Sequence, residues 1–117
     1  MNAEEMKKRT KDFAKRIIHL CRKLPQTQEG KLIGRQIFRS GTSVGANYRA
    51  ACRGRSKADF LSKLGIVLEE ADETLYWLEL IVETNVIKSD LLQPLIKETN
   101  EIIAICVASL NNSRNKK

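Results

Sequence analysis

The sequence holds one histidine, two prolines, three cysteines and six glycines, and aromatic residues make up only 5% of it. So few prolines and glycines cannot supply the many turns of an all-β sandwich. The lone histidine, His19, excludes the Glu-x-x-His pairs of a di-iron helix bundle, because position 16 is Arg. A Ser or Cys nucleophile needs a nearby His or Lys base, and no such pairing emerges from the sequence, which argues against an enzyme. No apolar run approaches the ~18 residues of a membrane span. The stretch Ile17-Ile18-His19-Leu20-Cys21 is too short and punctuated for a signal peptide, and Glu4 and Glu5 precede it. The cysteines, Cys21, Cys52 and Cys106, are odd in number, far apart and outside any C-x-x-C pattern. That spacing fits neither a disulfide framework nor a zinc site, and predicts buried thiols in a reducing cytoplasm.

What the chain does have is helical rhythm and an uneven charge. Its 117 residues suit a single domain, 1–117, and a fold of this mass exposes about 6,400 Å². Residues 1–63 carry 16 Lys/Arg against 5 Asp/Glu, a balance of +11, whereas residues 64–117 carry 5 against 9, a balance of −4. A basic half and an acidic half imply either a polyanion partner or self-association with unlike halves in contact.

Four segments repeat apolar residues at intervals of three and four, predicting helices over roughly 4–24, 27–54, 57–84 and 89–111. In the first, Phe13, Ile17, Leu20, Cys21 and Leu24 form the inner stripe, and Pro25 stops it. Thr27 caps the second, whose inner face is Ile33, Ile37, Val44, Tyr48 and Ala51. Its tract Ser40-Gly41-Thr42-Ser43-Val44-Gly45 forms helix poorly, but the apolar phase agrees on both sides, so one kinked helix is expected. Ser56 and Asp59 make a capping box for the third, along which Phe60, Leu64, Val67, Leu68, Ala71, Leu75, Leu78 and Val82 keep the rhythm until Asn85. The fourth runs through Leu92, Ile96, Thr99, Ile103, Cys106 and Leu110, with Pro94 bending or starting it and Asn111–Lys117 fraying. Short connections force successive helices antiparallel, so the fold class is all-α, an up-down-up-down four-helix bundle.

On the second helix the residues opposite the apolar stripe are basic. At 100° per residue Lys31 overlies Arg49 and Arg35 overlies Arg53, while Arg39 lies within about 80° of them. This row of cations, about 27 Å long from Lys31 to Arg49, suits the phosphates of a nucleic-acid backbone. Its segment carries too few acids to neutralise it. The glycines Gly41 and Gly45 lack the strand and the Gly-Lys-Ser/Thr of a phosphate loop, and read as points of close helix approach. No aromatic set suggests stacked bases. His19 falls opposite the apolar stripe of its helix, as a solvated residue.

The third helix has a second face in Ile66, Tyr76, Trp77 and Leu80, mixed with Glu69 and Glu73. An only Trp beside a Tyr and two aliphatics predicts an oligomer interface. Glu69 and Glu73 could there meet arginines of a neighbouring copy, a reading that explains the charge asymmetry without nucleic acid. The run Glu69-Glu70-Ala71-Asp72-Glu73 fans around the helix and does not converge on a metal.

Two stretches carry a resemblance. Arg39-Ser40-Gly41-Thr42-Ser43-Val44-Gly45-Ala46-Asn47-Tyr48-Arg49-Ala50-Ala51 is one; the other runs from Lys63 to Leu80 around Glu69-Glu70-Ala71-Asp72-Glu73-Thr74-Leu75-Tyr76-Trp77. Together they resemble the bacterial four-helix bundle proteins encoded by 23S ribosomal RNA intervening sequences, over roughly residues 7–112. That family is similar to the accessory variability proteins of diversity-generating retroelements. The resemblance implies a homopentamer, makes RNA or DNA binding plausible, and brings a reverse transcriptase into view as a partner by analogy. It implies no activity and no cofactor. Where the family often ends its second helix in Glu-Gly, this chain has Cys52-Arg53-Gly54, a more basic end.

The sequence thus predicts a cytoplasmic, non-enzymatic homo-oligomer that binds nucleic acid through Lys31, Arg35, Arg39, Arg49 and Arg53. The alternative is an assembly or adaptor protein whose charged faces join subunits or protein partners. Neither reading involves a membrane.

Overall fold

A computed structural model describes residues 1–115, as four helices and no strand among those residues: α1 Ala3–Lys23, α2 Gln28–Cys52, α3 Lys57–Glu83 and α4 Ser89–Asn115. Connections of four or five residues join helices about 32–40 Å long, so each helix doubles back along its predecessor. The result is an antiparallel bundle, 49 × 21 × 20 Å. Its surface of 7233 Å² exceeds the ~6,400 Å² typical of the mass, as a rod of this elongation must. α1 packs on α2, α2 on α3 and α3 on α4, while α1 and α4 meet only lightly. Across that last seam Arg9 makes a two-pronged ion pair with Glu98, at 2.6 and 2.7 Å, and reaches Glu101 at 3.3 Å.

The helix ends follow from local chemistry. Asn2, Thr27 and Ser56 each accept a hydrogen bond from the backbone N–H three residues on, removing one orphan donor per helix start. Asp59 accepts from the Arg55 N–H in return. Asn85 stops α3 at φ 58°, a left-handed position open to Asn, and the Val86 N–H closes back on the Ile81 carbonyl.

The single α2 helix and the α4 start at Ser89 match expectation, whereas the end of α4 differs. α2 is one continuous helix through the Ser40–Gly45 tract, because tertiary packing overrides weak propensity: Ser40, Gly41 and Val44 are all buried. α4 starts at Ser89 with Pro94 inside it. The carbonyl that Pro94 leaves without a partner is that of Asp90, on the exposed first turn where water reaches it. α4 also continues to Asn115, since extending a formed helix adds one bond per residue ordered and Leu110 still packs on the core. The end of the predicted frayed tail, Lys116 and Lys117, lies outside the described residues.

The core runs the length of the rod. Phe13, Ile17, Ile37, Val44, Val67, Leu78, Ile81, Leu92 and Ile102 are all at least 98% covered. On α3 the deepest line is Leu64, Val67, Ala71, Thr74, Leu78 and Ile81, with Phe60, Leu68 and Val82 flanking it. Pattern reading placed Leu75 in that line and passed over Thr74. A buried threonine is tolerated because its hydroxyl lies 2.8 Å from the Glu70 carbonyl and 2.9 Å from the Ser40 hydroxyl. All three thiols are free; Cys106 is buried, which pushes its thiol up to about 11, whereas Cys21 and Cys52 are only half-buried.

Candidate nucleic-acid interface

The seam between α1 and α2 is set by glycine. A Cβ on Gly41 would stand 2.7 Å from Ile17 Cγ1, and one on Gly45 would stand 3.1 Å from the Thr10 carbonyl oxygen. A Cβ has no room at Gly41 and would crowd the α1 backbone at Gly45, so the two helices approach closely and the flanking side chains form the walls of a trough. Its floor is Ala14, Thr42, Gly45 and Ala46. Lys7, Lys8 and Lys11 line it from α1, with Arg49 and Arg53 from α2; the trough holds about 540 Å³. Glu4 closes one end and pairs with Lys7 at 3.1 Å, and Lys8 pairs with Asp12 at 2.7 Å. Lys11, Arg49 and Arg53 are exposed, and none has a carboxylate within 4.0 Å among the described residues.

A second hollow of about 400 Å³ lies nearer the start of α2, where Pro25 and Gln26 of the α1–α2 turn meet Gly30 and Gly34. Cys21 Sγ is 3.7 Å from the Gly34 carbonyl at its base. Lys31 and Arg35 border this hollow, exposed and without carboxylate partners among the described residues, and Phe38 stands beside them 48% exposed. From Arg35 to Arg49 the helical rise is about 21 Å, so the two hollows lie in line along one face.

Arg39 does not belong to that row. It turns toward α3 and donates to Glu70 at 2.8 Å and Glu73 at 2.6 Å. Its offset of about 80° from Lys31 carries it over the α2–α3 seam, where two carboxylates wait. The same contact corrects the expectation that Glu73 is open to a neighbouring copy: Glu73 is held by Arg39 of its own chain and accepts from Trp77 Nε1 at 3.1 Å. Burial opposes its ionisation, but those hydrogen bonds outweigh it and keep the Glu73 carboxyl below the ordinary carboxylate value.

The remaining α3 candidates divide. Ile66 and Tyr76 are 41% and 57% exposed, and Glu69 is exposed as well. Trp77 and Leu80 are half-buried against the core. Tyr76 and Trp77 meet edge to face, with ring centres 5.0 Å apart. His19 is exposed. Among the described residues no group of three or more His, Cys, Asp and Glu side chains could hold a metal ion, and no helix is long and apolar enough to cross a membrane.

Reading α2 alone missed Lys7, Lys8, Lys11 and Phe38. The lysines carried a usable signal, since Lys7 and Lys11 are four apart and so share a face of α1. Nothing in α1 alone says that this face borders α2. Phe38 falls seven residues after Lys31, close to the basic row on the helical wheel.

Comparison with known proteins places this geometry. No curated protein matches the chain. The crystal structure of a protein of unknown function from the S23 ribosomal protein family of Bacteroides thetaiotaomicron superposes with a TM-score of 0.83. Its identity is 39%, over 89% of this chain and 96% of that one. The sequence profile of the 23S rRNA-intervening sequence proteins matches residues 3–108. With nearly all of its bundle inside that match, the chain belongs to the 23S rRNA-intervening sequence protein family.

Proposed function

We propose that this protein is a cytoplasmic, non-enzymatic homo-oligomer, a pentamer, that binds RNA through the α1/α2 face. The observation that carries the reading is the set of exposed, unpaired cations Lys11, Lys31, Arg35, Arg49 and Arg53, aligned over two hollows. Exposed cations without acids between them gain from a polyanion by releasing its counterions. Both hollows are open and lined in part by lysine and arginine, which suits an extended polyanion better than an enclosed small molecule. The family's name, tied to 23S rRNA, agrees with RNA as the polyanion. Self-association draws support from Ile66 and Tyr76, large side chains left exposed on one helix. Five copies would carry a charge of about +35, a field that steers polyanions strongly at low salt.

The test is RNA affinity as a function of salt. Five phosphate contacts on a single strand give a slope of about −3.5 in log K against log salt, and a flat plot refutes the reading. The adaptor alternative has the charged faces join subunits or protein partners, and draws on exposed Glu69 of α3 and the exposed arginines of α2. It predicts an assembly that forms normally and shows no salt-dependent RNA retention.

A further inference from the structure

Phe38 is the one large apolar side chain of α2 that stands in the basic row. The core of α2 is complete without it, because Ile33, Ile37, Val44, Tyr48 and Ala51 fill the seams, each at least 92% covered. The ring is instead 48% exposed and borders the same hollow as Lys31 and Arg35. On the helical wheel it lies about 20° from both Lys31 and Arg49, and the small residues Thr42 and Ala46 continue the face beyond it. Neither Lys31 nor Arg35, which border the hollow with it, has a carboxylate partner among the described residues.

Resting on the reading of this face as an RNA site, we infer that Phe38 is a base-stacking residue and that the RNA bound there is single-stranded. An exposed flat apolar ring between unpaired cations complements a polymer that presents flat apolar plates and anions in alternation. Unpaired nucleotides do this. Their phosphates meet Lys31, Arg35, Arg49 and Arg53 while a splayed base lies against the ring. A duplex does not, because its base faces are occupied by their neighbours in the stack, leaving phosphates, 2′-hydroxyls and base edges but no free face for the ring. The small side chains of Thr42 and Ala46 leave the strand a path from Phe38 to the trough beyond.

The experiment uses the full chain with a labelled, unstructured single-stranded RNA and with the duplex it forms with its complement. Wild type, Phe38→Ala and Phe38→Tyr are compared by fluorescence anisotropy across a salt series, with the assembly mass of each measured by light scattering. Wild type is expected to bind the single strand more tightly. Phe38→Ala should weaken single-strand binding at least about fivefold, leaving duplex binding, the salt slope and the mass unchanged, and Phe38→Tyr should restore it. Equal affinity of wild type for both RNAs overturns the inference, as does a Phe38→Ala loss shared by both RNAs or absent from both. A change in assembly mass for Phe38→Ala also overturns it, by placing the ring in a subunit contact. All of these results leave salt-dependent RNA binding in place. Absence of any RNA binding by wild type refutes the proposed function itself.

Discussion

Arg39 on α2 donates to Glu73 on α3 at 2.6 Å, and this contact divides the cations of α2 into two kinds. Arg39 is spent on the fold, held also by Glu70, whereas Lys31, Arg35, Arg49 and Arg53 face outward without carboxylates. Replacing Arg39 should therefore affect stability more than binding. Arg39→Met is expected to lower unfolding free energy by about 1 kcal/mol, the usual upper range for a half-exposed pair. RNA affinity should change by less than about twofold, against a larger loss for any cation that contacts phosphate. Denaturant titration and anisotropy on the same preparation check both halves.

The carboxyl of Glu73 supplies a pH signature. Its folded value is depressed, so its contribution to stability is present above the unfolded value of 4.5 and is lost as pH falls through the lower, folded value. Wild type should lose melting temperature more steeply below pH 4.5 than Glu73→Gln does. Because Trp77 Nε1 donates to the same carboxylate, its fluorescence should change over the same acid range in wild type and stay flat in the variant.

Two glycines separate steric need from mere tolerance. At Gly41 an added Cβ collides with buried Ile17, so Gly41→Val should cost about 1–3 kcal/mol by overpacking the α1–α2 seam. At Gly65 an added Cβ meets nothing within 4 Å, so Gly65→Ala should stabilise the chain by about 0.5–1 kcal/mol through helix propensity. Thermal melts of the two variants should move in opposite directions.

The legible features in the sequence were those that depend on one helix at a time. The caps at Thr27 and Ser56, the stop at Asn85 and the α2 stripe from Ile33 to Ala51 each follow from residues a few positions apart. Gly41 and Gly45 were also readable as close-approach points, because few other roles suit paired glycines on the inner side of a helix. What depends on a second helix was hidden. The ion pairs of Arg39, the satisfied hydroxyl of Thr74 and the contribution of Lys7, Lys8 and Lys11 all require knowing which faces of α1, α2 and α3 meet. Phe38 was overlooked because an aromatic outside the core stripe has no periodic partner to mark it.

Assembly should depend on the exposed residues of α3. Tyr76→Glu together with Ile66→Glu puts charge where an apolar contact would form, and should reduce the mass in solution to that of smaller species. The helical content should hold, since neither side chain is in the buried core. Light scattering with circular dichroism decides it.

The most direct measurement is RNA affinity of the double variant Arg49→Glu with Arg53→Glu, at fixed moderate salt, alongside its assembly mass and melting temperature. Both side chains line the α1/α2 trough, are exposed and have no acidic partner among the described residues. Affinity is predicted to fall at least about tenfold with mass and melting temperature unchanged. Undiminished affinity, or a loss that appears only because the assembly has come apart, would contradict an RNA-binding role for this face.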